Sequence, residues 1–556
     1  MPVTLHSRLP VADSVRDLLY ASVGPGTLSS AYPGGHFLSE AHVARRIAYL
    51  DRSRPASSAV PPLSVRELLE AENAFAPLTP EQAANLEAAG TESALFLLTG
   101  QQPGLFGGPV LWYYKALTCA ALAREWSARL ERPVIPVFWV AGDDSDLREC
   151  NHLELLDPRS QQVDGELALS FPDPSRPLAV SERTLDAAGL DRLLGKLARI
   201  WDPEIIEGIR TCYPEGSTLT QGFLRLAQTH LGGEGVLFLD GYSPRLRAQA
   251  RPVLEAAVRD GAAFQADLEQ GTSRLASAGV EAQVALREGV VHAFALRDGE
   301  RHRLLTEGAP SGRPRLYTAD QPSRDLLPGL GALELTHDVF TRPLVAETVF
   351  PVLGHVLGPA ELRYFGQMAP AFLRLTGDMP LLHPRMSAAV IPASAEAAFR
   401  AEGWALSSAV SLRPAALRER LVEKAWRDNP AAAELSLAPL EAWLEELRRV
   451  HDRHFPDPGS RNRFEKTLRA AWRRYQRSLK RRAFAASGAG DAGLFSHLQW
   501  LGNGSGQDRH LNIHSLRSAL GRQGMEDLRK FADPAGADVQ IFIFEDGDVS
   551  KEDEHG

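Results

Sequence analysis

One stretch of the chain restricts the possible folds more than any other. Residues 94–99 (ALFLLT) form a short, wholly apolar run, followed by the glycine-rich GQQPGLFGGP and a helical period from about Val110 to about Arg129. A second apolar run, VIPVFWVAG, then leads into the acids Asp143, Asp144 and Asp146. Short apolar runs bounded by turn signals suit strands covered on both faces, and strand, turn, helix, strand is a βαβ unit. Such units build parallel, doubly wound α/β sheets of Rossmann-like type, whose ligands bind beyond the carboxyl ends of the strands. The glycine-rich turn and the acidic loop both leave strands at that end. Residues 236–239 form another apolar run that ends at Asp240, so the sheet is expected to resume after an interruption.

Three stretches carry candidate chemistry. In the first, Gly104, Gly107 and Gly108 permit tight turns before the helix, and exposed amides at a helix start attract phosphate or carboxylate. Thr99, Gln101 and Gln102 add polar side chains, and Lys115 sits about a turn into the helix. A purely structural glycine turn is the competing reading, since the pattern is neither GxGxxG nor a Walker A motif. In the second stretch, the like charges of Asp143, Asp144 and Asp146 repel unless a cation or a hydrogen-bonded amine compensates. That suits Mg²⁺ brought with a nucleotide or the handling of an attacking ammonium, and a solvated turn with a helix cap is the plain alternative. The third, from Thr336 to Met368 with Arg385 and Ser387 beyond it, holds Arg342, Glu347, His355, Glu361 and Tyr364 within apolar surroundings. Its arginines can grip a carboxylate or phosphate in bidentate fashion or pair with a neighbouring glutamate. His355 by itself reads as a hydrogen-bonded core histidine.

The chain divides into a core over residues 1–392, a helical arm over 393–485 and a C-terminal segment, 486–556, that packs back on the core and ends in an acidic tail. Residues of about 160–200 and 265–320 alternate short apolar and polar pieces and are expected to be small β-containing insertions. In the arm, Leu440, Trp443, Leu447 and Val450 share one face, and Phe464, Leu468, Trp472, Tyr475 and Leu479 share another. This predicts two long helices joined around HFPDPGS as a coiled-coil hairpin. Residues 461–482 carry ten Lys/Arg against one acid, a pattern that fits an ion-paired coiled coil facing LEAWLEELRR better than a nucleic-acid stripe.

A net charge of −9 disfavours a nucleic-acid partner, and no apolar run approaches the roughly 20 residues of a membrane span. With no secretory signal at the N-terminus, a cytoplasmic location is expected. Cys119, Cys150 and Cys212 lack the spacing of a disulfide framework or a zinc site and are expected to be free thiols.

Together the three stretches resemble the bacillithiol-biosynthesis cysteine-adding enzymes, also called putative cysteine ligases, whose patterns run TGQQxGLFGGP, WxAxEDHDFxExNH and RPLxQDxxLPxxAYxxGPGExxYW. LLDPRS, VLFLDGYSPRLR, HPRMS and GNGSGQDRHLN fall where that family has similar segments. The resemblance implies a Rossmann-like core with connecting-peptide insertions and an α-helical coiled coil used for homodimerisation. It implies a reaction joining the carboxyl of L-cysteine to the amine of glucosaminyl-malate; because amide formation from a free carboxylate is uphill in water, chemistry adds the expectation that ATP, with Mg²⁺, first activates the carboxyl as an acyl-adenylate or acyl-phosphate.

On that resemblance, Thr99, Gln101, Gln102, Gly104, Gly107 and Gly108 would cradle the nucleotide or another anion, with Lys115 neutralising charge. Asp143, Asp144 and Asp146 would orient the amine or Mg²⁺. Arg342, Glu347, His355, Glu361, Tyr364 and Arg385 would line the substrate wall. Ser145 stands where the family has histidine, which leaves any proton-transfer role to His152 or His355, and Ala346 stands where it has glutamine. Competing readings are another nucleotide-dependent ligase or nucleotidyltransferase on the same scaffold, and a non-catalytic dimeric scaffold.

Overall fold

The computed structural model describes residues 3–9, 32–37, 39–53, 64–154, 166–308, 314–401, 403–406, 414–427, 437–454, 458–486, 511–531 and 539–544. The LLDPRS segment, most of GNGSGQDRHLN and the acidic tail lie outside these residues. The chain divides into two units, one of Met1–Pro158, Asp164–Ala388 and Asp508–Phe542, the other of Arg159–Val163, Ala389–Gln507 and Ile543–Gly556.

Two sheets carry the first unit. Their strands in chain order are β1 (Leu95–Gln101), β2 (Val134–Val140), β3 (Leu237–Asp240), β4 (Val290–Arg297), β5 (Glu300–Gly308), β6 (Pro314–Thr318), β7 (Glu334–His337), β8 (Val352–Leu357) and β9 (Leu381–Pro384). The larger sheet has the order β9-β8-β1-β2-β3 and is parallel throughout. Residues 95–100 of β1 and all of β2 are buried, as their uninterrupted apolar character requires. Pro136 is tolerated within β2 because pairing with β3 begins only at Val137, so its nitrogen meets no ladder on that side.

Alternate residues of β1 enter different cores. Leu95 and Leu97 pack with Cys119, Leu122 and Trp126 of helix α2, and with Val43 and Leu50 of α1, where α1 is Glu40–Ser53 and α2 is Leu111–Leu130. Phe96 and Leu98 join Ile135, Val137 and Trp139 on the other face. There they meet Leu246 and Leu254 of α3 (Pro244–Arg259) and Val345 and Val349 of α4 (Thr341–Val349). Helices thus cover both faces, the doubly wound arrangement. From β1 the sheet grows through β2 to β3, and on its other side through β8 to β9. The β1/β8 boundary is therefore the topological switch point, with Gly100 and Gly358 at its carboxyl end.

The second sheet, of order β7-β4-β5-β6, is antiparallel. β4 and β5 join through Asp298 and Gly299, both at positive φ (49° and 77°), the geometry of a tight hairpin turn. Val291, Ala293, Ala295 and Leu304 face the core, so the period of two turns His292, Phe294, Arg301 and Arg303 to the opposite face.

The expected β-containing insertions do hold strands, at Glu166–Ala168 and in β4 to β6, but the expectation is corrected at two places. Residues 187–197 and 261–277 are helices. Leu190, Leu193, Leu194 and Leu197 form a buried stripe started by an Asp186 cap. The mid-helix Gly271 is needed because a Cβ there would lie 2.0 Å from the carbonyl oxygen of Gln367, in α5 (Pro359–Thr376). Near the end of the first unit, helix Ile513–Phe531 follows Asn512, whose amide donates to the carbonyls of Phe106 and Gly108, and Arg529 reaches the Tyr113 hydroxyl.

In the second unit, helix Pro458–Ala486 packs against Pro414–Arg427 and Leu437–His454 and pairs Lys480 with Glu423. Leu444 is buried, whereas Trp443 and Tyr475 are 53% and 50% exposed. The side chains of Leu440, Phe464 and Leu468 lie outside the described residues. The three cysteines are free and buried, and among the described residues no helix is long and apolar enough to cross a membrane.

Candidate functional site

A cavity of about 1060 Å³ opens at the switch point, roomy enough for two small substrates. Its floor is organised by Lys115, which is almost fully buried. The ammonium donates to the Gly100 carbonyl (2.9 Å) and to Gln101 Oε1 (2.9 Å), and lies 2.6 Å from Glu361 Oε2. Three acceptors use all three of its protons, so Lys115 contributes its charge and holds its neighbours. Burial lowers its pKa, and Glu361 opposes that shift. Glu361 also accepts from the Gly358 amide at 2.7 Å, closing the first turn of α5. A Cβ on Gly358 would sit 3.4 Å from Glu361 Oε2, 3.6 Å from Arg385 Nε and 3.8 Å from Lys115 Cε, so these groups converge on one point.

Arg342, at the start of α4, donates to the Tyr364 hydroxyl at 2.6 Å. Burial raises the Tyr364 pKa, and the nearby Arg342 charge only partly offsets it, so the phenol keeps its proton. Arg385 donates to the Met386 carbonyl at 2.9 Å. Three cations thus gather around a single carboxylate, and that excess of positive charge suits an anionic group.

The glycine turn is left-handed at Phe106, Gly107 and Gly108 (φ 48°, 87° and 57°). Its amides bond internally: Gly104 to Gln102, Leu105 to Cys150, Gly107 to Gly104 and Gly108 to Leu105. An anion here meets Gln101, Gln102 and the side-chain cations instead of those four amides.

The acidic loop after β2 faces this floor. Asp143 is buried, with Arg301 Nη2 at 3.4 Å and His337 Nδ1 at 3.3 Å from its Oδ2. Asp144 accepts from Gln102 at 3.3 Å and lies 3.7 Å from Arg301 Nη1. Arg301 is braced by the His337 carbonyl (2.7 Å) and rests on the Phe294 ring, 4.1 Å from its centroid. The repulsion between the acids is therefore relieved by an arginine of the second sheet. Burial lowers the pKa of His337, with Asp143 opposing, so the imidazole is neutral at pH 7. Glu149 is pushed up by burial and then by Asp144 and Asp146, and it accepts from Gln102 at 2.6 Å. Behind the loop, Asp240 receives hydrogen bonds from Ser181 and the Tyr242 amide. Burial nevertheless lifts its carboxyl to about 7, with Glu72 and Asp143 adding to the rise.

Of the residues singled out from sequence, Gln101, Gln102, Gly104, Gly107, Lys115, Asp143, Asp144, Arg342, Glu361, Tyr364 and Arg385 line the cavity, as does His152. Five do not. Thr99 donates to the Val356 carbonyl at 2.8 Å and ties β1 to β8. Gly108 lies within the turn. Asp146 is exposed and accepts from the Arg148 amide to start a short 3₁₀ turn. His355 is inside β8 with its ring 4.9 Å from Phe365, and burial holds it neutral, its pKa well below the usual histidine range.

Glu347 pairs with buried Arg46 of α1, which also reaches Asp378 at 3.2 Å and the Val352 carbonyl at 2.7 Å. Burial lifts the Glu347 carboxyl to about 7 against the pull of Arg46. This is a structural network beneath β8. Arg46→Met is expected to cost about 3–5 kcal/mol, because it strands the buried Glu347 carboxylate, whereas Asp378 keeps Arg45 at 3.3 Å. In the variant, the folded-state pKa of Glu347 exceeds its unfolded value of 4.5. The ionised form is then the disfavoured one, so the deficit in urea unfolding should be greatest above pH 7 and shrink as pH falls.

Sequence reading missed Arg301, Arg303, His292 and His337. For the first three the signal available was the alternation in VVHAFALRDGERHRLL, whose apolar face leaves a polar and aromatic face unexplained; His337 lies outside that stretch.

The profile of the family described as "Bacillithiol biosynthesis BshC, N-terminal Rossmann-like domain" matches residues 28–386, well over half of the chain. The chain belongs to the BshC family. Among BshC proteins, "Putative cysteine ligase BshC" of Shouchella clausii is 30% identical over 385 residues, covering 66% of this chain and 69% of that protein. The Salinibacter ruber protein of the same name is 30% identical over 317 residues, 55% of this chain and 56% of its own length. The Heliobacterium modesticaldum one is 29% identical over 433 residues, 72% and 76% respectively. The match therefore spans just over half to about three quarters of these BshC relatives.

Proposed function

We propose that this chain joins the carboxyl of L-cysteine to the amine of glucosaminyl-malate, the last step of bacillithiol biosynthesis. Besides family membership, the observation that carries this reading is the gathering of Lys115, Arg342 and Arg385 around Glu361 at the switch point, opposite Asp143 and Asp144. One side of the cavity is suited to an anionic carboxyl and its activating group, the other to an amine.

Amide formation from a free carboxylate is uphill in water, and ATP would supply the leaving group that makes the carboxyl reactive. The residues present fit a polyphosphate, since three cations around Gly358 share one carboxylate. They do not fit a protein-held Mg²⁺. Asp143 and Asp144 already face Arg301, and among the described residues no group of three or more His, Cys, Asp or Glu could hold a metal ion. Any Mg²⁺ would arrive on the nucleotide's phosphates. Arg342 and Arg385 bind and orient the anion, and Tyr364 offers its hydroxyl proton. Asp144, half-buried and on the cavity wall, receives the amine, with Asp143 behind it.

The test is cysteine-dependent conversion of ATP to AMP or ADP when glucosaminyl-malate is present. Asp144→Asn is expected to lower kcat/KM about 10²-fold. An unchanged value would remove the acidic loop from the reaction.

The resemblance also implies a homodimer. Trp443 and Tyr475 give the helical unit an exposed aromatic surface that a second copy would cover. A mass of one chain by light scattering would count against it.

A further inference from the structure

Most cationic groups on the cavity wall are engaged. Lys115 is held by Glu361, Arg301 by Asp143 and Asp144, Arg342 by Tyr364, and Arg385 by the Met386 carbonyl. Arg287 and Arg303 differ. Both line the cavity, both are exposed, and among the described residues neither guanidinium has an ion pair or a hydrogen bond. Arg303 is not loose, however. It stands opposite Phe294 in the β4/β5 register, and its guanidinium carbon lies 4.7 Å from the centre of that ring. The same ring supports Arg301. A guanidinium resting on an aromatic face loses little hydration and keeps its planar N–H fork free for an acceptor. Arg287 closes the loop leading into β4, its carbonyl accepting from the Val290 amide at 3.4 Å.

We propose that Arg287 and Arg303 form a second anion seat on the β-sheet wall of the cavity, which takes a carboxylate-bearing end of the amine substrate. The placement fits the rest of the site. Arg301 links the Phe294 ring to Asp143 and Asp144, so a molecule whose amine lies on the acidic loop can extend its other end past Arg301 to Arg303. The activating group belongs on the opposite side, around Gly358, where Lys115, Arg342 and Arg385 already supply charge. Two separated cationic seats with an acidic loop beside them match one anionic activated carboxyl and one acceptor that is cationic at one end and anionic at the other. The seat also selects, since an uncharged amino-sugar forgoes the charge-assisted contacts that a carboxylate makes with the two guanidiniums.

This inference rests on the ligase reading for the identity of the acceptor but not for the existence of the seat. The experiment therefore has two arms. In the first, Arg287→Gln, Arg303→Gln and the double variant are assayed with glucosaminyl-malate, its malate dimethyl ester, cysteine and ATP. Each arginine is expected to account for about tenfold in the acceptor's KM, with kcat and the KM values for cysteine and ATP within about twofold of wild type. The preference for the diacid over the diester should collapse in the double variant. A rise in the KM of ATP instead, or an undiminished preference for the diacid, overturns the proposal. In the second arm, L-malate is titrated into the full-length protein by calorimetry, which needs no turnover. Binding to wild type that is lost in the double variant, with unchanged thermal stability, supports the seat even if no ligation occurs. Equal binding by both proteins, or none by wild type, overturns it. Absence of ligation with malate binding intact would count against the ligase reading alone.

Discussion

Lys115→Met is expected to remove about 3–5 kcal/mol of unfolding free energy and to abolish turnover. The substitution nearly conserves volume, so the loss comes from charge and not from a cavity. With the ammonium gone, Glu361 loses its closest cation and keeps the Gly358 amide as hydrogen-bond donor, with Arg342 and Arg385 as the nearby charges, while the Gly100 carbonyl and Gln101 lose their donor. Breaking a buried pair on one side costs far more than removing both partners. Lys115→Met combined with Glu361→Gln should therefore recover most of the stability in urea unfolding, yet remain inactive because nothing then holds the Gly100 carbonyl and Gln101 in place at the floor. A single variant as stable as wild type would mean that Lys115 is not the keystone of the switch point.

The second large effect is expected at Arg342. Arg342→Ala should lower kcat/KM about 10²–10³-fold, the usual consequence of deleting one preorganised donor at a developing negative charge. Its stability cost should be smaller than that of Lys115→Met, since the group left behind is a neutral phenol. Arg342→Lys retains the charge but not the fork and should fall between the two. Steady-state kinetics on variants with unchanged circular dichroism measure this, and an alanine variant within threefold of wild type would show that Arg342 does not meet the reacting group.

The same physics explains what could be read in the sequence. The βαβ unit is legible to within about two residues, since β2 and the first four residues of β1 are apolar without interruption and a glycine turn separates β1 from a long helix. The helices at 187–197 and 261–277 were obscured by Gly189, Gly195 and Gly271. Propensity counts those glycines as breakers, whereas at Gly271 the close approach of Gln367 demands one. The site divides similarly. Lys115, Glu361 and Arg385 come from segments adjacent to strands β1, β8 and β9, so the parallel order alone brings them together. Arg301 and His337 arrive from a separate antiparallel sheet, and no local spacing indicates that β5 and β7 end beside Asp143. Glu347, His355 and Thr99 look polar and exceptional in sequence, but each is used inside the fold and not in the cavity. Glu347 pairs with Arg46, Thr99 bonds a carbonyl, and His355 remains neutral against an aromatic ring.

The most direct test of the ligase assignment is mass spectrometry of the product formed when the full-length protein is given L-cysteine, glucosaminyl-malate, ATP and Mg²⁺, with each component withheld in turn. The account predicts the mass of the cysteine amide of glucosaminyl-malate, dependent on cysteine and ATP and sharply reduced for Arg342→Ala. Folded protein that consumes no cysteine and yields no such mass with every component present would contradict it.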